Sequence, residues 1–253
     1  MSRIDTIFSD GKKKIIPFIV AGYPSLDDTD SILLALDAAG ADVIEIGIPF
    51  SDPIADGPVI AAAMHQALEK GYTPSDAITA VSRVRSQLKA GVVAMVSHSI
   101  VRKSGGTAFI ERLAEGGFDG VIIPDIDDDE AQIMRTYCKE LDIAFIMLVA
   151  PTTPIERVKT QADHSSGFLY ILARTGLTGE QTAMPDISER IDIIRTVTDL
   201  PLAVGFGISN AEHVKSVHKV ADAAIIGSAL VRRLGESKDP ATSPTQFIQE
   251  ILQ

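Results

Sequence analysis

The sequence has few of the residues that carry thiol, metal or Schiff-base chemistry. A single cysteine, Cys138, occurs among 253 residues, so no internal disulfide can form, and a reducing compartment is indicated. Cys138 lies in a segment with helical spacing, where we expect it to pack rather than react. Of the five histidines only His98 lies near the end of a predicted strand, so a metal site held by two histidines is not expected. The second to eighth predicted strands contain no lysine that could form a Schiff base.

Long hydrophobic runs and positive charge are also scarce. No apolar run reaches the roughly 18 residues that a membrane span needs. Residues 1–6 lack the apolar core of a signal peptide, so we expect a soluble cytoplasmic protein with no membrane partner. The formal net charge of −11 argues against nucleic acid as the main partner, because nucleic-acid phosphates repel an acidic surface.

Short apolar runs recur along the whole chain. They are nearly continuous rather than alternating with polar residues, which is typical of parallel strands covered on both faces. Segments with helical spacing separate them, for example Asp27–Ala38 and Asp186–Val197, and Thr73 is a predicted helix cap. The eight predicted strands are Lys14–Ile19, Val43–Ile48, Val92–Val96, Gly120–Ile123, Ala144–Val149, Phe168–Leu172, Leu202–Gly205 and Ala223–Ile226.

Eight β/α units in a chain of 253 residues predict a TIM barrel, the (β/α)8 fold, as a single domain over residues 1–253. The main alternative is a doubly wound open sheet. That fold usually carries a glycine fingerprint after the first strand, and Val20–Pro24 does not have one.

Glycines follow each of the last three predicted strands. Gly176 and Gly179 come after the sixth strand. Gly205 is the last residue of the seventh strand and Gly207 follows it, and Gly227 with Ser228 follows the eighth. In TIM barrels the loops after the seventh and eighth strands often bind phosphate through backbone N–H groups, and glycine permits the close approach. The sequence therefore predicts a phosphate site.

Glu45 is a carboxylate inside an otherwise apolar strand. Such a group is costly to bury unless it is paired or used, and loss of water would raise its pKa into the range of a general acid/base. A structural ion pair inside the barrel is the alternative. Two further carboxylates, Asp52 and Asp56, lie on the following loop, and their spacing does not decide which of them would act with Glu45.

Five motifs make the chain resemble the tryptophan synthase alpha subunit family, and the resemblance spans nearly the whole sequence. The motif that begins at Glu45 is the longest and most specific. The motifs are Pro17–Pro24, Glu45–Pro58, Arg174–Gly179, Gly205–Ile208 and Gly227–Ala229.

The resemblance implies a TIM barrel that cleaves indole-3-glycerol phosphate to indole and glyceraldehyde 3-phosphate by a retro-aldol reaction, without metal or organic cofactor. It implies a pyridoxal-phosphate beta chain as partner, in an alpha2beta2 heterotetramer. The two catalytic carboxylates of the family match Glu45 and Asp56, which makes Asp52 a loop-shaping residue. The phosphate contacts match Gly179, Gly207, Gly227 and Ser228. The indole pocket matches Phe18, Ile60, Tyr170, Thr178 and Phe206.

Two segments depart from the family pattern. The chain reads Ser97-His98-Ser99 where the family carries a Tyr-Asn-Pro-like sequence, and Asp127–Asp129 replaces a proline-containing turn. We expect these changes to affect activation by the beta chain rather than the chemistry. Three alternatives stay open: a stand-alone indole-releasing lyase, a weakly active subunit that mainly binds and activates a beta chain, and a different phosphosugar enzyme such as an isomerase.

Overall fold

The computed structural model describes residues 1–53, 57–173, 186–205, 207–237 and 239–253. Its strands are β1 (Lys14–Val20), β2 (Val43–Gly47), β3 (Gly91–Met95), β4 (Gly120–Ile122), β5 (Ala144–Ile146), β6 (Leu148–Val149), β7 (Leu169–Leu172), β8 (Leu202–Gly205) and β9 (Ala223–Ile226). Its helices are α1 (Arg3–Phe8), α2 (Thr29–Ala38), α3 (Pro58–Glu69), α4 (Pro74–Val84), α5 (His98–Lys103), α6 (Thr107–Glu115), α7 (Asp128–Glu140), α8 (Ile155–His164), α9 (Ser188–Arg195), α10 (Ala211–His218), α11 (Ser228–Glu236) and α12 (Ser243–Ile251). A 3-10 turn follows α4 at Arg85–Gln87.

All neighbouring strands pair in parallel. The strands within the described ranges form one sheet in the order β5-β4-β3-β2-β1-β9-β8-β7-β6. The two ends of this order, β5 and β6, are consecutive pieces of chain separated only by Met147. The sheet therefore returns to its starting point, and the predicted TIM barrel is confirmed.

The prediction of one unbroken fifth strand over residues 144–149 was wrong. The break falls at Met147, whose N–H donates to the hydroxyl of Ser165 at 3.1 Å rather than to a neighbouring strand. The hydroxyl of Ser166 accepts from the N–H of Phe145 in the same way, at 3.0 Å. Two serine side chains thus take ladder positions at the point where the barrel closes.

The helix predictions hold apart from their ends. The helix predicted over Asp27–Ala38 is α2, which begins at Thr29, and the helix predicted over Asp186–Val197 is α9, Ser188–Arg195. Thr73 caps α4 as predicted: its hydroxyl accepts from the N–H of Asp76 in a capping box. Within the described part of the chain, no helix is long and apolar enough to cross a membrane.

Two apolar layers stabilise the barrel. The outer layer packs the helices against the sheet, and it contains Cys138, which is fully buried on α7. Burial raises the pKa of the Cys138 thiol to about 12, so the prediction that this residue packs rather than reacts is consistent with its surroundings. The inner layer fills the barrel itself.

Helix α1 closes the N-terminal end of the barrel. Ile4 and Phe8 of this helix join the inner apolar cluster, and the rings of Phe8 and Phe168 lie 5.5 Å apart between centroids. Gly91 leaves room for the helix, because a Cβ atom there would lie 2.6 Å from Cδ1 of Ile4. Polar chemistry is therefore left to the opposite, C-terminal end.

Three pairs of neighbouring strands are held together at this closed end. In each pair, an aspartate directly before one strand accepts a hydrogen bond from the backbone of the other strand. The N–H groups of Ile15, Val92 and Leu202 donate to Asp42, Asp119 and Asp222 at 2.9, 2.8 and 2.9 Å. Each aspartate also faces a cation. The respective nitrogen–oxygen distances are 3.5 Å to Lys14, 2.9 Å to Arg85 and 2.6 Å to Arg195.

Close packing of β1 against β2 inside the barrel requires a glycine at position 47. A Cβ atom on Gly47 would lie 2.6 Å from Cζ of Phe18 and 3.3 Å from Cε of Met64. Phe18 is itself buried, so its ring has little space into which it could move.

Replacing one of the aspartates at the closed end tests its contribution to stability. We expect Asp119→Ala to lower the free energy of unfolding by about 2–4 kcal/mol, because the Val92 N–H and the Arg85 guanidinium both lose a partner in a largely buried site. Urea denaturation measures the change. The control is Glu250→Ala, which removes the exposed Glu250–Arg233 pair and should change stability by less than about 0.5 kcal/mol. Equal effects of the two substitutions would contradict the role of this aspartate.

A double-mutant cycle tests the contact between Gly47 and Phe18. We expect Gly47→Ala to cost about 1–3 kcal/mol of stability, because the added methyl group overlaps the aromatic ring. In the Phe18→Leu background the same change should cost less by at least about 0.5 kcal/mol, since the smaller side chain leaves room. Strictly additive costs in urea denaturation would show that the two residues do not compete for space.

Candidate active site

Glu45 faces the interior of the barrel. It lies in the middle of β2 with 1% of its surface exposed, and its register partners are Phe18 on β1 and Val93 on β3. Its neighbours Ile44 and Ile46 belong to the outer apolar layer, so the alternation along the strand turns Glu45 inward. The expectation that this carboxylate is buried inside the barrel agrees with its position. Its catalytic role stays a prediction.

Two of the predicted indole-pocket residues meet at a predicted phosphate residue. A Cβ atom on Gly227 would lie 3.4 Å from Cδ1 of Phe18 and 3.6 Å from Cδ1 of Ile60, which is ordinary van der Waals contact. Phe18 and Ile60 are both buried in one apolar cluster. The aromatic ring therefore lies between the end of β2, at Gly47, and the end of β9, at Gly227.

The glycine loops after β8 and β9 lie side by side. The register pairs Val204 of β8 with Ala224 of β9, so the loops containing Gly207 and Gly227 leave neighbouring strands at the same end of the barrel. Gly207 has a φ of +82°, a conformation that favours glycine. Ser228 is the first residue of α11, where the backbone N–H groups of a helix have no partner within the helix. These features are typical of phosphate sites.

Tyr170 lies on β7, beside the same end of β8. A Cβ atom on Gly205 would overlap the Tyr170 hydroxyl and would lie 2.8 Å from Cζ of the ring. Gly205 thus leaves the space that the phenol ring fills. This places Tyr170 next to the loop that contains Gly207.

An apolar cavity of about 250 Å³ opens near the ends of β2, β3 and β4. Mostly apolar walls with a few polar groups are typical of sites for small molecules. Its apolar residues are Ile48, Phe50, Pro53, Met64, Met95, Val96 and Pro124, and its polar residues are Asp52, Ser97, Ser99 and Asp125.

The loop after β3, which departs from the family pattern, joins the loop after β4. Ser97 caps α5, and the N–H of His98 donates to Oδ1 of Asp125 at 2.7 Å. Nε2 of His98 lies 2.9 Å from Oε2 of Glu130, in the first turn of α7. His98 of the first departure thus contacts Asp125 and Glu130, the residues that lie on either side of the second departure, Asp127–Asp129.

Several predicted site residues lie outside the described residues. They are Asp56, Thr178, Gly179 and Phe206, together with the rest of the Arg174–Gly179 motif. Of the predicted residues that the structure describes, it brings Glu45, Phe18, Ile60, Tyr170, Gly207, Gly227 and Ser228 to one end of the barrel interior.

Sequence reasoning missed two methionines on the cavity wall. Met64 lies four residues after Ile60 on α3, a spacing that places both on one helix face and could have identified it. Met95 lies two residues after Val93 and shares its face of β3, where it packs at the edge of the cluster that contains Phe18. Sequence reasoning also missed the contact between Ser209 and His213 in the loop after β8.

The arrangement combines three chemical capacities. A buried carboxyl group inside the barrel is a group that can donate and accept a proton. Glycine loops at the start of a helix are suited to hold a phosphate. An apolar cavity near the ends of β2, β3 and β4 is suited to a small apolar group.

Comparisons with known proteins point to one family. The profile of the family described as tryptophan synthase alpha chain matches residues 4–252. The tryptophan synthase alpha chain of Chloroflexus aggregans is 40% identical over 260 residues, covering 100% of this chain and 97% of that one. The corresponding chain of Rippkaea orientalis is 42% identical over 224 residues, covering 88% and 84%.

Solved structures agree. A Mycobacterium tuberculosis tryptophan synthase chain has a TM-score of 0.90 at 32% identity, covering 99% of this chain and 96% of that one. The tryptophan synthase A-subunit of Pyrococcus furiosus has a TM-score of 0.89 at 33% identity, covering 95% and 98%. Because the family profile and these full-length relatives coincide, the chain belongs to the tryptophan synthase alpha chain family.

Proposed function

We propose that the protein is a carbon–carbon lyase of tryptophan biosynthesis that cleaves indole-3-glycerol phosphate into indole and glyceraldehyde 3-phosphate. The observation that carries the proposal is the position of Glu45. This buried carboxyl group lies inside the barrel, with an apolar cavity near the ends of β2–β4 and paired glycine loops after β8 and β9. A substrate that joins an apolar ring to a phosphate matches the buried cluster of Phe18 and Ile60 beside the loop that begins at Gly227.

In the proposed reaction Glu45 acts first as an acid. Its carboxyl group protonates C3 of the indole ring, and Asp56 accepts a hydrogen bond from the indole N–H, which stabilises the cation that forms. The carboxylate of Glu45 then removes the proton of the adjacent glycerol hydroxyl. The carbon–carbon bond breaks, its electron pair restores the aromatic ring, and an aldehyde is left.

Substrate binding is assigned in the same proposal. The phosphate is held by backbone groups of Gly179, Gly207, Gly227 and Ser228, and the indole ring lies against Phe18, Ile60, Tyr170, Thr178 and Phe206. The contacts of Gly227 with Phe18 and Ile60 support it, because they join one phosphate residue to two indole residues. The chemistry needs neither a metal nor an organic cofactor.

The partner that we propose is a tryptophan synthase beta chain. The relatives of this chain are named as alpha chains of tryptophan synthase, and the similar Mycobacterium tuberculosis structure is that of the synthase. We assign an alpha2beta2 tetramer, with the rim around β2–β4 facing the beta chain. The cavity opens at this rim, which would allow indole to leave towards the partner.

One observation favours a second candidate, a subunit that binds and activates a beta chain but turns over little substrate itself. The loops after β3 and β4 are tied together by His98, through Asp125 and Glu130. These His98 contacts lie at the proposed interface with the beta chain. They are therefore suited to serve binding of the beta chain rather than cleavage of the substrate.

Removing either proposed acid/base group should abolish most activity. We expect Glu45→Gln and Asp56→Asn each to lower kcat for indole-3-glycerol phosphate cleavage by at least about 10²-fold, the usual scale for such a group. The matched control is Asp52→Asn, on the same loop as Asp56, which should retain near wild-type activity.

The Glu45→Gln variant also distinguishes a catalytic role of Glu45 from a role in a structural ion pair. If Glu45 acts in catalysis, Glu45→Gln should keep wild-type stability in urea denaturation. If Glu45 instead forms a buried structural pair, the substitution should cost about 3–5 kcal/mol. Near wild-type rates in purified Glu45→Gln protein would refute the assignment.

Assaying the isolated chain decides between the lyase and the activating subunit. We expect measurable cleavage of indole-3-glycerol phosphate by the chain alone and faster cleavage after addition of a beta chain, with sedimentation giving the mass of a 2:2 complex. Undetectable cleavage under both conditions, with a complex still formed, would favour the second candidate. Full activity with no complex would instead identify a stand-alone lyase.

A further inference from the structure

The proposed mechanism does not use a buried histidine on α10. His213 lies in the first turn of this helix with 7% of its surface exposed. Its Nδ1 atom lies 3.3 Å from the hydroxyl oxygen of Ser209, and its backbone N–H donates to Oδ1 of Asn210 at 2.9 Å. Two consecutive residues of the loop after β8 are therefore held by one histidine.

Capping alone does not explain the imidazole. The side-chain oxygen of Asn210 caps α10 by accepting a hydrogen bond from the backbone N–H of residue 213. That N–H does not depend on the imidazole side chain. A buried polar ring costs desolvation that an apolar side chain of similar size would avoid. The contact that needs the imidazole is the one with Ser209, whose hydroxyl donates or accepts according to the tautomer of the ring.

The loop is fixed on both sides of Gly207. Before it, the carbonyl of Gly205 accepts from the N–H of Ala173 at 3.0 Å. After it, Ile208 is buried in the outer apolar layer and Ser209 contacts His213. Gly207 itself has a φ of +82° and lies beside the end of β9, where Gly227 begins the second glycine loop.

We propose that His213 is a positioning residue for phosphate binding. Its ring holds Ser209 and thereby fixes the backbone of Gly207, so that the loop after β8 is already shaped for a phosphate group before one binds. A preformed loop loses less conformational freedom on binding, so the contact increases affinity without taking part in the bond-breaking step. The identity of the phosphorylated substrate rests on the proposed function, whereas the loop needs only the phosphate group.

The experiment compares two histidines of the same helix. His218, at the other end of α10, bonds the carbonyl of Lys14 through Nε2 at 3.0 Å, at the closed end of the barrel. His213→Leu and His218→Leu each remove one imidazole hydrogen bond from α10, and urea denaturation reports the stability cost of each. Only the first should affect phosphate binding.

The readouts are the Kd for inorganic phosphate, by titration calorimetry, and the kcat and KM for indole-3-glycerol phosphate. We expect His213→Leu and Ser209→Ala each to raise both the Kd and the KM by about 3- to 10-fold, the scale of one hydrogen bond, with kcat within about twofold of wild type. The double variant should be no worse than either single variant, because both remove the same contact. His213→Asn, which places a polar atom near the position of Nδ1, should recover most of the affinity.

Any of three results in the variants would overturn the proposal: an unchanged phosphate Kd in Ser209→Ala and His213→Leu, a fall in kcat with unchanged KM, or an equal loss of affinity in His218→Leu. Ser209→Ala is a small change in a half-buried loop, so it decides the matter alone if His213→Leu does not fold. A wild-type protein that binds no phosphate also overturns it. Weakened phosphate binding in the variants of a protein that does not cleave indole-3-glycerol phosphate would refute the proposed function and leave this inference standing.

Discussion

The closed parallel sheet is the constraint on which the other features depend. Because the sheet closes on itself through the consecutive strands β5 and β6, alternate side chains must enter either the barrel interior or the layer under the helices. Glu45 shows the consequence most clearly. Its neighbours in sequence, Ile44 and Ile46, complete the outer layer, and the carboxyl group is left in an interior that α1 closes at one end.

The two ends of the barrel differ in the residues that line them. At the closed end, aspartates before β2, β4 and β9 hold neighbouring strands through backbone N–H groups and face cations. At the open end, Gly47 and Gly205 leave the space that the aromatic rings of Phe18 and Tyr170 fill. This is the expected division in a TIM barrel, in which the loops at the C-terminal ends of the strands carry the chemistry.

Much of this architecture could be predicted from the sequence because its signals are local. Near-continuous apolar runs marked the strands, and the single carboxylate inside one of them marked Glu45 as a candidate site residue. The break at Met147 was not predictable in this way, because it depends on a hydroxyl from Ser165, eighteen residues further along the chain. The same difference between local and distant signals applies to the cavity walls. Met64 could be identified from its spacing from Ile60, whereas the position of Met95 on the wall depends on the pairing of β2 with β3. The choice between Asp52 and Asp56 rested on family resemblance alone.

Helix α10 connects the two ends of the barrel through its histidines. His213 reaches the loop after β8, and His218 reaches the first residue of β1. The helix has eight residues, which gives it a length of about 12 Å, and each residue turns the chain by about 100°. One residue inserted between the two histidines would rotate one ring away from its partner while leaving the other in place. Insertions and deletions among relatives should therefore occur in the loops rather than in this helix, because its length sets the distance between the two histidines.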